Sequence, residues 1–132
     1  MTPELRWLAW TVVLGLVHIV AATVTTTAQR PGGLRWAAGA RDEPQPPPSG
    51  VAGRLARAGE NFAETFPFFA AAVLAAHLAG RNGALTGWGT LIYFWARVAY
   101  LPLYAAGVPY LRTVIWAMSL VGLVMVLLSL FG

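Results

Sequence analysis

The run Leu111-Arg112-Thr113-Val114-Ile115-Trp116-Ala117-Met118-Ser119-Leu120-Val121-Gly122-Leu123-Val124-Met125-Val126-Leu127-Leu128-Ser129-Leu130-Phe131 carries one charge, at its second residue, and none after it. A helix at a protein–water boundary keeps one polar face. This run has none, and its length of about 21 residues matches the roughly 20 needed to cross the hydrocarbon core of a bilayer. Its composition suits lipid rather than water.

The rest of the chain is consistent with that. Of 132 residues, 58% are hydrophobic and 11% charged, against about 25% charged in an ordinary soluble domain. The mean hydropathy is +0.62. A small soluble fold has too much surface to cover with so few charges. The net charge of +4 comes from nine arginines and no lysine. Six tryptophans and long apolar runs argue against a nucleic-acid partner and for basic clusters at membrane edges. Cysteine is absent, which excludes disulfides, thiolate metal sites and a cysteine nucleophile.

Three more apolar segments precede the last. The first runs from about Leu5 to Ala28, too long for the core of a signal peptide and without a small-residue exit site. The second spans about Leu55 to Ala79, and the third about Ala84 to Ala106. Gly80-Arg81-Asn82-Gly83 and Gly107-Val108-Pro109 read as the tight turns that follow them. Between the first two lies Arg30 to Gly53, with the run Pro44-Gln45-Pro46-Pro47-Pro48-Ser49-Gly50. Proline removes backbone donors, so this stretch is expected as a solvated loop with polyproline II character. The expected fold is an all-α membrane protein: one domain over residues 1–132, a four-helix antiparallel bundle with short second and third connections. Alanine- and glycine-rich faces suit close helix contact and oligomerisation.

Arginine placement sets the orientation. Arg30, Arg35, Arg41, Arg54, Arg57 and Arg112 fall on one side, Arg6 and Arg81 on the other. The positive-inside tendency then puts the first and third loops in the cytoplasm and both termini outside it, in a bacterial inner (cell) membrane.

The polar residues inside the helices are few and patterned. Arg57, Asn61 and Glu64 are spaced i, i+4, i+7 in the second segment; Arg97, Tyr100 and Tyr104 are spaced i, i+3, i+7 in the third. Each set shares one helix face. Arg97 lies mid-segment, where a charge costs at least about 2.5–3.5 kcal/mol and needs a partner. Glu64 is the expected structural ion-pair partner, with Glu60 the alternative. Antiparallel packing brings Arg57, Asn61, Tyr104 and Arg112 to the cytoplasmic boundary and leaves Glu64, Arg97 and Tyr100 deeper. Forked guanidinium donors match carboxylates, so this set suits a zwitterionic ligand with several carboxylates and an amine.

The run Arg57-Ala58-x-x-Asn61-x-x-Glu64-x-Phe66-Pro67 resembles the signature of the family of membrane-associated proteins in eicosanoid and glutathione metabolism, MAPEG, which includes the microsomal glutathione transferases. Ala96-Arg97-Val98-Ala99-Tyr100-x-x-x-Tyr104, with Gly107-Val108-Pro109-Tyr110-Leu111-Arg112, is similar to the family's third helix and the loop beyond. The resemblance implies a homotrimer with glutathione held between subunits near the cytoplasmic face, and a lipophilic electrophile entering from the membrane. It implies Arg57, Asn61, Glu64, Tyr100 and Tyr104 as glutathione ligands and Arg112 as the catalytic group that stabilises the glutathione thiolate. Thr65 stands where some animal members carry tyrosine.

Other signals are weaker. His18 is expected as a hydrogen-bonded structural residue, and His77 as an interfacial one. The threonines from Thr23 to Thr27 are expected to bond their own helix carbonyls. Arg30 reads as a positive-inside anchor, or as a residue within reach of the pocket. The leading function is a glutathione-dependent transferase or peroxidase. The alternative is a non-catalytic membrane protein of the same fold that binds a lipid or small anion or scaffolds a partner. A small multidrug exporter would need an acidic residue within its first helix, and here Glu4 sits at the very edge.

Overall fold

A computed structural model describes all 132 residues. The chain is all-helical, with five helices: α1 (Pro3–Gln29), α2 (Gly33–Ala38), α3 (Gly50–Leu78), α4 (Ala84–Ala105) and α5 (Leu111–Phe131). Two of them, α1 and α5, are long and apolar enough to cross a membrane. Thr2 caps α1 by accepting from the Leu5 N–H, and Pro3 follows, where its missing donor costs nothing. α4 pairs most closely with α5, and α1 with α3; the two pairs meet where α1 and α3 both pack on α4 and α3 also touches α5.

The outward faces are apolar. Val13, Leu16, Val20 and Val24 of α1 are exposed, as are Val114, Met118, Val121 and Leu128 of α5. Thr11, Thr86, Thr90 and Ser119 are fully buried. Three of these hydroxyls bond a carbonyl one turn back, Thr11 to Trp7, Thr90 to Thr86 and Ser119 to Trp116. This polarity is the reverse of a soluble bundle's and is what a lipid surround requires.

The α4–α5 contact is made by backbone. A Cβ on Gly89 would come within 2.7 Å of the Gly122 carbonyl oxygen, and one on Gly122 within 2.6 Å of the Gly89 carbonyl oxygen. At the far end of the molecule the buried Glu4 closes α1 onto α4, accepting a 2.6 Å hydrogen bond from the Thr86 hydroxyl. Thr86 also accepts from the Gly83 N–H, so the carboxylate rests against the first turn of α4, where the helix dipole favours negative charge.

Two expectations need correction. α3 starts at Gly50, five residues before the expected apolar segment, with Ala52 and Gly53 buried. Hydropathy marks where lipid begins, whereas helical hydrogen bonding continues into water. The proline-rich loop is also more ordered than its composition implies. It contains α2, and the Gln29 amide grips both backbone groups of Ser49, donating to its carbonyl at 2.9 Å and accepting from its N–H at 2.8 Å. Trp36 Nε1 donates to the Glu43 carbonyl. Two guanidiniums lie over its ring, Arg30 at 4.7 Å and Arg41 at 5.5 Å.

Candidate functional site

Along the α3–α4 seam, each step of four residues on one helix is matched by a step back on the other, as antiparallel packing demands. Thr65 and Tyr93 share a buried 2.8 Å hydroxyl hydrogen bond. One turn toward the loop side, the fully buried Arg97 donates from Nη1 to Asn61 Oδ1 at 2.8 Å. Above it, the Arg97 guanidinium stands 4.4 Å from the centre of the Tyr100 ring, and the Tyr100 and Tyr104 rings lie 5.5 Å apart. At the loop end, Arg57 Nε donates to the Tyr104 hydroxyl at 3.2 Å, and Arg112 lies 4.4 Å above the Tyr104 ring. Arg54 completes the rim by donating to the Ala105 carbonyl at the end of α4.

Six side chains singled out from the sequence therefore form one ladder: Asn61, Arg97, Tyr100, Tyr104, Arg57 and Arg112. Glu64 stands apart from it. Its side chain is exposed, and Arg97 bonds Asn61 instead of the expected carboxylate. The register explains this. At the level of Thr65, α4 presents Tyr93, which also stacks on Phe69 at 3.9 Å and fills the seam. Arg97 Nε and Nη2 have no hydrogen-bond partner; the Tyr100 and Phe62 faces, 4.4 and 5.6 Å away, partly compensate their charge.

Arranged this way, the loop end of the ladder brings two guanidiniums to one phenol, an arrangement that suits carboxylates and an adjacent anion. The model of the MAPEG family matches residues 7–132. The chain belongs to the MAPEG family. No curated protein and no solved structure matches it. As a MAPEG member with two apolar, membrane-length helices, it is a membrane protein of the eicosanoid- and glutathione-metabolism type.

Some partners in this MAPEG chain escaped sequence reasoning. Tyr93 is one of them, although a signal for it exists: Tyr93, Arg97, Tyr100 and Tyr104 follow i, i+4, i+7, i+11, one continuous stripe. The tie of Thr65 to Tyr93 and the capping role of Arg54 depend on which helices adjoin, and local pattern does not carry that. His18 departs from its expected role, since both ring nitrogens lack a hydrogen-bond partner and the ring stacks on Phe62 at 4.8 Å. His77 is exposed and pairs with the Asn82 amide. Of the threonines, Thr25 and Thr26 bond the carbonyls of Ala21 and Ala22, while Thr23 and Thr27 line a cavity beside Arg30 and Glu60.

Proposed function

We propose that this MAPEG protein is a glutathione-dependent transferase or peroxidase acting on lipophilic electrophiles. It would act as a homotrimer of four-span subunits in a bacterial inner membrane, with both termini outside the cytoplasm. The observation that carries the reading is the ladder from Asn61 to Arg112, which ends in two arginines flanking Tyr104. Arg57 binds a glutathione carboxylate, Asn61 a peptide group, and Tyr100 and Tyr104 wall the site. Glu64, exposed one turn away on the same helix, takes the ammonium. Arg97 is a positioning residue that holds Asn61 and Tyr100.

A free thiol has a pKa near 8.5, so only a few per cent is thiolate at pH 7. The Arg112 guanidinium favours the anion; each pKa unit of depression is worth about 1.4 kcal/mol, a tenfold gain in thiolate. The thiolate sulfur then bonds the electrophilic carbon while the leaving group takes the electron pair. Holding both reactants in one cleft supplies the rest.

Glutathione at a hundred times its dissociation constant is expected to stabilise the purified protein by about 2.7 kcal/mol, read as a rise in melting temperature. Arg112→Ala is expected to slow conjugation about tenfold or more at pH 7, with the deficit shrinking as pH rises through the free-thiol range. Conjugation at full rate in Arg112→Ala removes its role. One observation favours the alternative, a non-catalytic protein binding a lipid or small anion or scaffolding a partner: Glu64 stands off the ladder. An unchanged melting temperature with glutathione, together with no conjugation, would establish that alternative.

A further inference from the structure

The proline-rich strap between α2 and α3 has no part in the ladder, and its sequence dictates its shape. Proline fixes φ at about −65°, here at Pro44, Pro46, Pro47 and Pro48. A residue that precedes proline is pushed to extended backbone, which covers Glu43, Gln45, Pro46 and Pro47. The strap from Glu43 to Pro48 is therefore held to polyproline II geometry, a left-handed helix with about three residues per turn and a rise of about 3.1 Å per residue.

Exposure along the strap follows that period. Gln45 and Pro48, three residues apart, are half-buried, while Pro44, Pro46 and Pro47 are exposed. The Gln45 Oε1 atom is buried. Pro48 lies on the first turn of α3, where its carbonyl oxygen stands 2.7 Å from the place a Cβ on Gly53 would take. A glycine at position 53 admits that approach. One edge of the strap thus rests on the protein, and the other two face outward. Both ends are fixed. Trp36 Nε1 donates to the Glu43 carbonyl, and the Gln29 amide holds both backbone groups of Ser49. Between these anchors, no backbone N–H of the chain donates to a carbonyl from Pro44 to Pro48.

We propose that this strap is the docking segment for a partner protein with an aromatic-lined groove that reads polyproline II. Pro44 and Pro47 lie one turn apart on one outward edge and Pro46 on the other, the P-x-x-P arrangement that seats in such grooves. Tryptophan N–H and tyrosine O–H groups on the groove wall donate to the strap's carbonyls. A segment already held in its bound shape loses little entropy on docking, and here anchors at both ends add to the stiffness of proline. A bilayer surface offers neither slots at this spacing nor aligned donors. The proposal does not depend on glutathione use, since none of its residues belongs to the ladder.

The test has two arms, both on the full-length protein. In the first, a panel of purified SH3 domains, the simplest grooves of this class, is titrated with the protein in lipid nanodiscs. At least one domain should bind saturably, with shifts confined to its aromatic groove, and Pro44→Ala/Pro47→Ala should bind it at least tenfold more weakly. Both prolines are exposed, so the double variant should melt with the parent, which separates lost docking from lost fold. In the second arm, p-benzoylphenylalanine in place of the exposed Glu43 is photolysed in native membranes and the adduct is mapped by mass spectrometry. The expected adduct lies in the aromatic groove of another protein and disappears in the Pro44→Ala/Pro47→Ala background. Binding by no domain of the panel, or equal affinity in the double variant, would overturn the proposal. So would an adduct that forms only with lipid, only with a second copy of this chain, or outside such a groove.

Discussion

Asn61→Leu is expected to lower stability by about 3 kcal/mol, seen as a fall of roughly 10 °C in melting temperature. Arg97 is fully buried, and its hydrogen bond to Asn61 is the one its side chain makes. Its other nitrogens already lack partners. Leucine at position 61 would leave a desolvated cation held by aromatic faces alone, and removing the one hydrogen-bond acceptor of a buried charge costs more than a neutral hydrogen bond contributes. The second half of the expectation is a partial rescue. Arg97→Met removes the charge and fills much of the volume, so Asn61→Leu/Arg97→Met should melt above Asn61→Leu alone. A double variant no more stable than the single one would show that Asn61 acts by some route other than satisfying Arg97. Both variants should lose glutathione stabilisation if the ladder is the ligand site.

Gly122→Ala should be nearly as damaging, for a purely steric reason. The added Cβ meets the Gly89 carbonyl oxygen at 2.6 Å and the Tyr93 nitrogen at 2.7 Å. Both are backbone atoms that cannot rotate aside, so α4 and α5 must separate. Alanine gains about 1 kcal/mol of helix propensity over glycine, but overpacking of this kind costs 1–3 kcal/mol or more. The displacement also reaches Tyr93, which holds Thr65 and stacks on Phe69. A net loss of up to about 2 kcal/mol is expected, and Gly122→Leu should not yield folded protein. Gly83→Ala is the steric control, since nothing lies within 4 Å of a Cβ there; its loss should stay within the roughly 1 kcal/mol of an N-cap change. Equal melting of Gly122→Ala and Gly83→Ala would mean that the helices do not meet at these glycines.

Much of the architecture is written locally. The uncharged stretch from Thr113 to Phe131 and the one after Arg6 call for lipid whatever they pack against. The turns after the second and third segments follow from glycine and proline. The face shared by Arg97, Tyr100 and Tyr104 follows from helical periodicity alone. The organised loop was less legible. Proline density argues for open chain, but a glutamine side chain bonding backbone 20 residues away is a long-range event with no local signature.

Pairing was decided by tertiary structure. From the sequence, Glu64 is the expected partner for Arg97 and Glu60 the alternative, because charge favours a carboxylate. The register of α3 on α4 favours Asn61, because the Tyr93 ring occupies the seam at the next level. Helical period and hydropathy are properties of one segment, and the sequence by itself determines them. Register, and with it the separation of Glu64 from the ladder and the stacking of His18 on Phe62, depends on how two surfaces interlock. That is a property of neither helix alone.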